Sequence, residues 1–123
     1  MARAMPRSCC YLDYPQFSSE DPYVYHAPWR PPLTLEMAYS FDPVSGIPND
    51  VRSRIIGGQA NVWGEAIRTV FDLEWKMWPR TCAIAEALWT APARRDFADF
   101  RHRMLRHRAR LVEQHVNAAP VLP

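Results

Sequence analysis

The sequence predicts an α/β fold with parallel βαβ connectivity, and three observations predict it. Short extended runs alternate with helical periodicities along the chain, the order expected of successive βα units. Each predicted strand runs into an aromatic and a carboxylate two positions apart, in "YLD" at 11–13 and "WGE" at 63–65; strand C-terminal ends are where βα units gather functional side chains. The hydrophobic share, 48% of 123 residues, supports one domain with a core and leaves little room for two.

The elements follow in order. Residues 1–8 have no clear period and are unassigned. Cys9 to Leu12 is a short strand-compatible run ending at Asp13. Residues 14–32 are rich in Pro, Tyr and acids, a length of loop that is usually functional or disordered; the aromatic content favours function. "LTLEMAYSFDP" reads as a short helix with Thr34 as N-cap and Pro43 beyond its end. A turn around Gly46, Ile47, Pro48 and Asn49 leads to a strand from Arg54 to Gln59.

In "DLEWKMWPRTCAIAEALW", Trp75, Trp78, Cys82, Ala85 and Trp89 recur at helical spacing and define one predicted face. Pro79 divides that run, giving a short first turn and then a main helix with the proline in its opening turn. The last helix is expected from near Phe97 to near Val116, with Asp96 as N-cap. Its predicted buried stripe is Phe97, Phe100, Met104, Leu111 and Val112. Two parallel strands cannot form a sheet covered on both faces, so these elements are expected to belong with others.

Composition excludes several function classes. A net charge of +2 does not argue for a nucleic-acid or membrane partner. No stretch approaches the ~20 apolar residues that span a bilayer, and "MARAMPRSCC" has no apolar run of signal-peptide length. Cys9, Cys10 and Cys82 form no CxxC, and His102 and His107 miss the one-turn spacing of paired helical ligands; reduced thiols and no metal site are expected. The basic run Arg101, Arg103, Arg106, Arg108 and Arg110 interleaves with apolar residues at helical spacing. That pattern reads as the solvated face of a helix rather than as a nucleic-acid contact.

The residues that can carry chemistry are Tyr11 with Asp13 and Trp63 with Glu65. In extended backbone, residues i and i+2 point to one side, so each pair offers a flat ring beside a carboxylate. That combination suits a sugar, whose C–H face lies on the ring while its hydroxyls donate to the carboxylate. Gly57 and Gly58, just upstream in "IIGGQANVWGE", allow a bend or a close approach. The alternative is that Tyr11 and Trp63 are packing aromatics and the two acids are solvated caps. Both readings stand on the residues alone.

"YLDYPQ", "LTLEMAYSFDP", "IIGGQANVWGE", "MWPRTCAIAEALWT" and "FRHRMLRHRARLVEQHVNAAP" occur in the order seen in the C-terminal part of glycoside hydrolase family 20. The chain therefore resembles the bacterial β-N-acetylhexosaminidases of that family over nearly its whole length. The resemblance implies a (β/α)8 TIM barrel, of which residues 9–123 would supply the last two βα units and the closing helix. It implies that Tyr11 donates a hydrogen bond to the substrate's acetamido oxygen, that Asp13 and Glu65 hold sugar hydroxyls, and that Trp63 lines the N-acetyl pocket. Trp29 would flank the leaving-group side. It implies no cofactor and no metal, and partners that are glycans containing N-acetylglucosamine or N-acetylgalactosamine.

The implied reaction retains configuration, with the substrate's own acetamido oxygen attacking the anomeric carbon. The family's general acid belongs to an adjacent Asp-Glu pair that does not occur in this chain; Glu20-Asp21 stands in the reverse order in a Pro-flanked loop. The chain is thus expected to be a fragment that does not hydrolyse its substrate alone. Alone it is expected to fold poorly or to self-associate, its natural partner being the N-terminal part of the barrel, because apolar surface and strand edges would otherwise be open. The alternative is a non-catalytic sugar-binding or complementing module.

Overall fold

The computed structural model describes residues 11–17 and 32–122. Four α-helices order them: α1 Leu35–Tyr39, α2 Val70–Met77, α3 Arg80–Trp89 and α4 Phe97–Glu113, with one-turn 3-10 helices at Arg52–Arg54, Gly64–Ala66 and Pro92–Arg94. α1 packs against α3. Leu12, Leu33, Phe41, Ile84, Phe100, Met104 and Val121 are among the buried residues of a single apolar core.

Local chemistry accounts for the helix ends. The Thr34 hydroxyl accepts from the Met37 N–H at the start of α1, as expected. Thr69 and Asp72 form a reciprocal capping box on α2, a motif in which each side chain satisfies the other's backbone N–H. The Trp78–Pro79 peptide is cis and separates α2 from α3, so the run that Pro79 was expected to divide becomes two helices with the proline as N-cap of the second. Asp96 caps α4 through the Asp99 N–H.

α4 stops earlier than the apolar pattern indicates. His115 takes a left-handed φ of 62°, His115 N–H bonds to the Val112 carbonyl, and Val116 N–H reaches back to Leu111. This reciprocal closure ends a helix by satisfying its last carbonyls. The chain then returns along the helices: Ala119 N–H donates to the Trp78 carbonyl at 3.1 Å, and Asn117 N–H to Glu74 at 2.8 Å.

Three expectations are corrected. The strand expected over Arg54–Gln59 is not formed among the described residues: 52–54 is a 3-10 turn and 55–60 carries no ladder. β-branched residues favour extended backbone, but a strand exists only with a hydrogen-bonded neighbour. What pairs instead is an isolated parallel bridge between Tyr11 and Asn61; of the strand expected over Cys9–Leu12, Cys9 and Cys10 lie outside the described residues. The predicted face of the central helices is only partly inward: Trp75, Trp78 and Cys82 are half-buried. Trp89 is 92% exposed and Ala85 exposed, while α3 buries Arg80, Ala83, Ile84 and Ala87. Cys82, Ala85 and Trp89 do share one side of α3, but helical periodicity puts it opposite the side that carries the buried Ala83, Ile84 and Ala87. On α4, Phe100 and Met104 are buried, but Val112 is 45% exposed, because it sits in the turn that closes the helix.

The second glycine of the pair at 57–58 has a packing reason. A Cβ on Gly58 would lie 2.6 Å from Phe41 Cε1 and 3.3 Å from Leu88 Cδ2, so the segment leading to the site runs against the core as closely as backbone allows.

Candidate functional site

The parallel bridge places the 11–14 turn beside the segment entering the Gly64–Ala66 turn. Leu12 N–H donates to the Asn61 carbonyl at 2.7 Å, which ties the two segments together. Around that junction Tyr11, Asp13, Tyr14, Trp63 and Glu65 line one open cleft of ≈ 290 Å³. Four of these five are the residues singled out in the sequence; Tyr14 is the addition. They meet through turns rather than extended alternation: Asp13 lies in a turn and Glu65 in the 3-10 helix after Trp63. Trp29 lies outside the described residues.

The cleft has an aromatic and an acidic character. Tyr11 and Tyr14 have ring centroids 6.0 Å apart with planes tilted by 37°. Trp63 is 57% exposed and Asp13 only 2%, so the cleft combines an open indole with an acid set deep in its wall. Such a surface can stack a ring's C–H face and accept hydroxyl hydrogen bonds, while its buried acceptor confers orientation.

Behind the cleft lies a layer of hydrogen bonds that sequence reading missed. Lys76, 3% exposed, donates to the Asp13 carbonyl at 3.0 Å. Arg80, wholly buried, donates to the carbonyls of Leu12, Tyr14 at 2.9 Å, Leu33 at 3.1 Å and Lys76. Gln16, also buried, donates to the Trp75 carbonyl and to that of Trp78 at 3.2 Å. The available signal was "WPR" at 78–80, whose arginine lies one turn beyond Lys76.

A second hollow of ≈ 230 Å³ lies between Gln16, Phe17, the start of α1, Phe97 and the C-terminal residues Pro120 and Leu122. Several arginines of α4 are engaged by other groups of the chain. Arg101 donates to the Leu122 carbonyl, Arg103 pairs with Glu86 and Asp99, and Arg108 donates to Ala118 and Ala119. Burial pushes the Cys82 thiol up to about 11, which keeps it protonated and unreactive at neutral pH. Among the described residues no group of three His, Cys, Asp or Glu side chains could hold a metal ion, and no helix is long and apolar enough to cross a membrane.

The profile of the glycosyl hydrolase family 20 catalytic domain matches residues 4–92. The chain belongs to glycosyl hydrolase family 20. It is 35% identical over 99 residues to a beta-hexosaminidase of Akkermansia muciniphila, covering 80% of this chain and 19% of that protein. It is 33% identical over 106 residues to the human beta-hexosaminidase subunit beta, covering 81% of this chain and 19% of that one. The structure superposes with a TM-score of 0.77 and 34% identity on a family 20 exo beta-N-acetylglucosaminidase of Vibrio harveyi, solved in complex with N-acetylglucosamine. That match covers 96% of this chain and 18% of the Vibrio protein. The family 20 chain therefore spans about a fifth of the length of these relatives.

Proposed function

We propose that this chain forms one wall of the substrate site of a β-N-acetylhexosaminidase, as the last two βα units and closing helix of a family 20 TIM barrel over residues 9–123. The single observation carrying the reading is that Tyr11, Asp13, Trp63 and Glu65, from two separated motifs, line the same cleft. The parallel sense of the Tyr11–Asn61 bridge supports adjacent parallel strands of a barrel. The N-acetylglucosamine bound to the Vibrio harveyi relative supports an N-acetylhexosamine as ligand.

In this reading the Tyr11 hydroxyl donates to the acetamido oxygen of a terminal N-acetylhexosamine and holds it beneath the anomeric carbon, which that oxygen attacks with retention of configuration. Trp63 encloses the N-acetyl group, Asp13 and Glu65 accept hydroxyl hydrogen bonds, and Trp29 flanks the leaving group. The proton for the leaving oxygen comes from an acid that this chain does not supply, so the chain by itself binds without hydrolysing. The exposure of the large apolar residues Ile56, Val70, Phe71 and Trp89 supports a further body of protein against the chain, either the rest of the barrel or a second copy.

The test is a titration of the chain with N-acetylglucosamine, and with glucose as the control lacking an acetamido group, followed by ligand-observed NMR. Saturable binding of the first alone, lost in Trp63→Ala, is expected. An equal response to both sugars, or none to either, would remove the reading. Addition of a family 20 segment carrying the Asp-Glu pair, assayed on a chromogenic N-acetylglucosaminide, separates a catalytic contribution from a purely binding one.

A further inference from the structure

Five consecutive carbonyls, from residue 11 to residue 15, all accept hydrogen bonds. Tyr11 O accepts from Tyr14 N–H at 3.3 Å, and Pro15 O from Leu33 N–H at 2.8 Å. The three between them are taken by cations: Leu12 O and Tyr14 O by Arg80, and Asp13 O by Lys76. We propose that Lys76 and Arg80 are positioning residues, a buried cationic clamp that sets the direction of the Tyr11 and Asp13 side chains at the sugar site.

Geometry makes the clamp specific. A guanidinium has five N–H donors in one plane, and Arg80 places them on carbonyls of residues 12, 14, 33 and 76. Two of those carbonyls flank Asp13 on either side. A residue held through its own carbonyl and through both neighbours' carbonyls has little freedom left in its backbone, so its side-chain direction is set before a ligand arrives. Pre-set direction is what a binding or catalytic group gains from the layer behind it.

The second cation reaches the same turn from α2, and Arg80 Nε also donates to the Lys76 carbonyl at 3.2 Å, so the two act as one unit. Lysine cannot replace arginine here, since an ammonium presents a compact charge without the planar fork. The clamp rests on the sugar-site reading for its function, but its effect on the turn is measurable without a sugar.

The experiment compares Arg80→Lys and Lys76→Met with the parent chain. The first keeps a charge and loses the fork; the second keeps an apolar stem and loses the donor to Asp13 O. Three quantities are read by NMR: the Tyr11 and Tyr14 ring signals, the Phe100 and Met104 signals of the α4 core, and the affinity for N-acetylglucosamine. Both variants are expected to keep the core signals, to shift both tyrosine rings, and to bind the sugar about tenfold more weakly, the range set by losing a charge-assisted hydrogen bond. If Arg80→Lys also loses the core signals it has failed to fold, and Lys76→Met alone then decides. Tyrosine signals and affinity unchanged in Lys76→Met would overturn the clamp. If the parent chain binds no N-acetylglucosamine, the sugar reading falls and the ring signals alone decide: shifted rings uphold the clamp, unshifted rings overturn it.

Discussion

The guanidinium of Arg103 meets both carboxylate oxygens of Glu86, at 2.7 and 2.8 Å, and joins α4 to α3. The same carboxylate accepts from the Tyr39 hydroxyl at 3.0 Å, and that hydroxyl accepts from the Asp96 N–H at the cap of α4. One acid thus connects three helices. Burial, then the contact with Glu86, raises the Tyr39 phenol above its ordinary value. Replacing Glu86 with Gln is expected to cost about 1–3 kcal/mol, measured as a lower melting temperature than the parent's.

The pair also makes stability depend on pH. Its hydrogen bonds from Arg103 hold the Glu86 carboxyl below its ordinary 4.5. A depressed folded value means that the contribution is complete above the unfolded value and is lost as pH falls through the folded one. Melting temperature should therefore drop as the solution is acidified through the carboxylate range. Glu86→Gln should flatten part of that drop; an unchanged slope would show that other acids carry it.

Gly58 separates packing from backbone freedom. Gly58→Ala would drive a methyl to within 2.8 Å of Phe41 Cζ and is expected to destabilise by about 1–3 kcal/mol. Gly64→Ala meets nothing within 4 Å and should stay within about 0.5 kcal/mol. Chemical denaturation of the two variants side by side checks the contrast.

Two aromatics on neighbouring helices should behave oppositely. Phe100 is fully buried and stacked at 4.6 Å on Tyr39, so Phe100→Ala is expected to cost about 3–5 kcal/mol. Trp89, 92% exposed, should tolerate Ala within about 0.5 kcal/mol. Thermal melts check both: the Phe100 variant reports on the buried side of α4 and the Trp89 variant on the exposed end of α3.

The capping box gives a smaller effect. Thr69→Ala removes the acceptor for Asp72 N–H and is expected to cost about 1 kcal/mol. Hydrogen exchange confined to the first turn of α2 would locate that loss.

Much of this was legible in the residues. Thr34 and Asp96 as N-caps and the division at Pro79 follow from short-range rules, because caps and prolines act on the backbone within one turn. Tyr11, Asp13, Trp63 and Glu65 were found as two aromatic–acid pairs and through family resemblance. Their meeting at one cleft needed the Tyr11–Asn61 bridge, a contact across 50 positions of chain.

What stayed hidden depends on contacts with no local signature. The buried side of α3 has no local mark, since apolar residues stand on both of its sides, and among the described residues Ile55 and Ile56, extended in propensity, have no ladder to pair with. Arg80 and Lys76 carry no mark in the sequence, since nothing in composition tells a solvated arginine from one enclosed by carbonyls. The sequence by itself determined the family, the Thr34 and Asp96 caps and four of the five residues that line the cleft, all encoded within short stretches. Only the tertiary structure decided which faces are buried and what holds the 11–15 turn, because both depend on groups that the chain brings together from far apart.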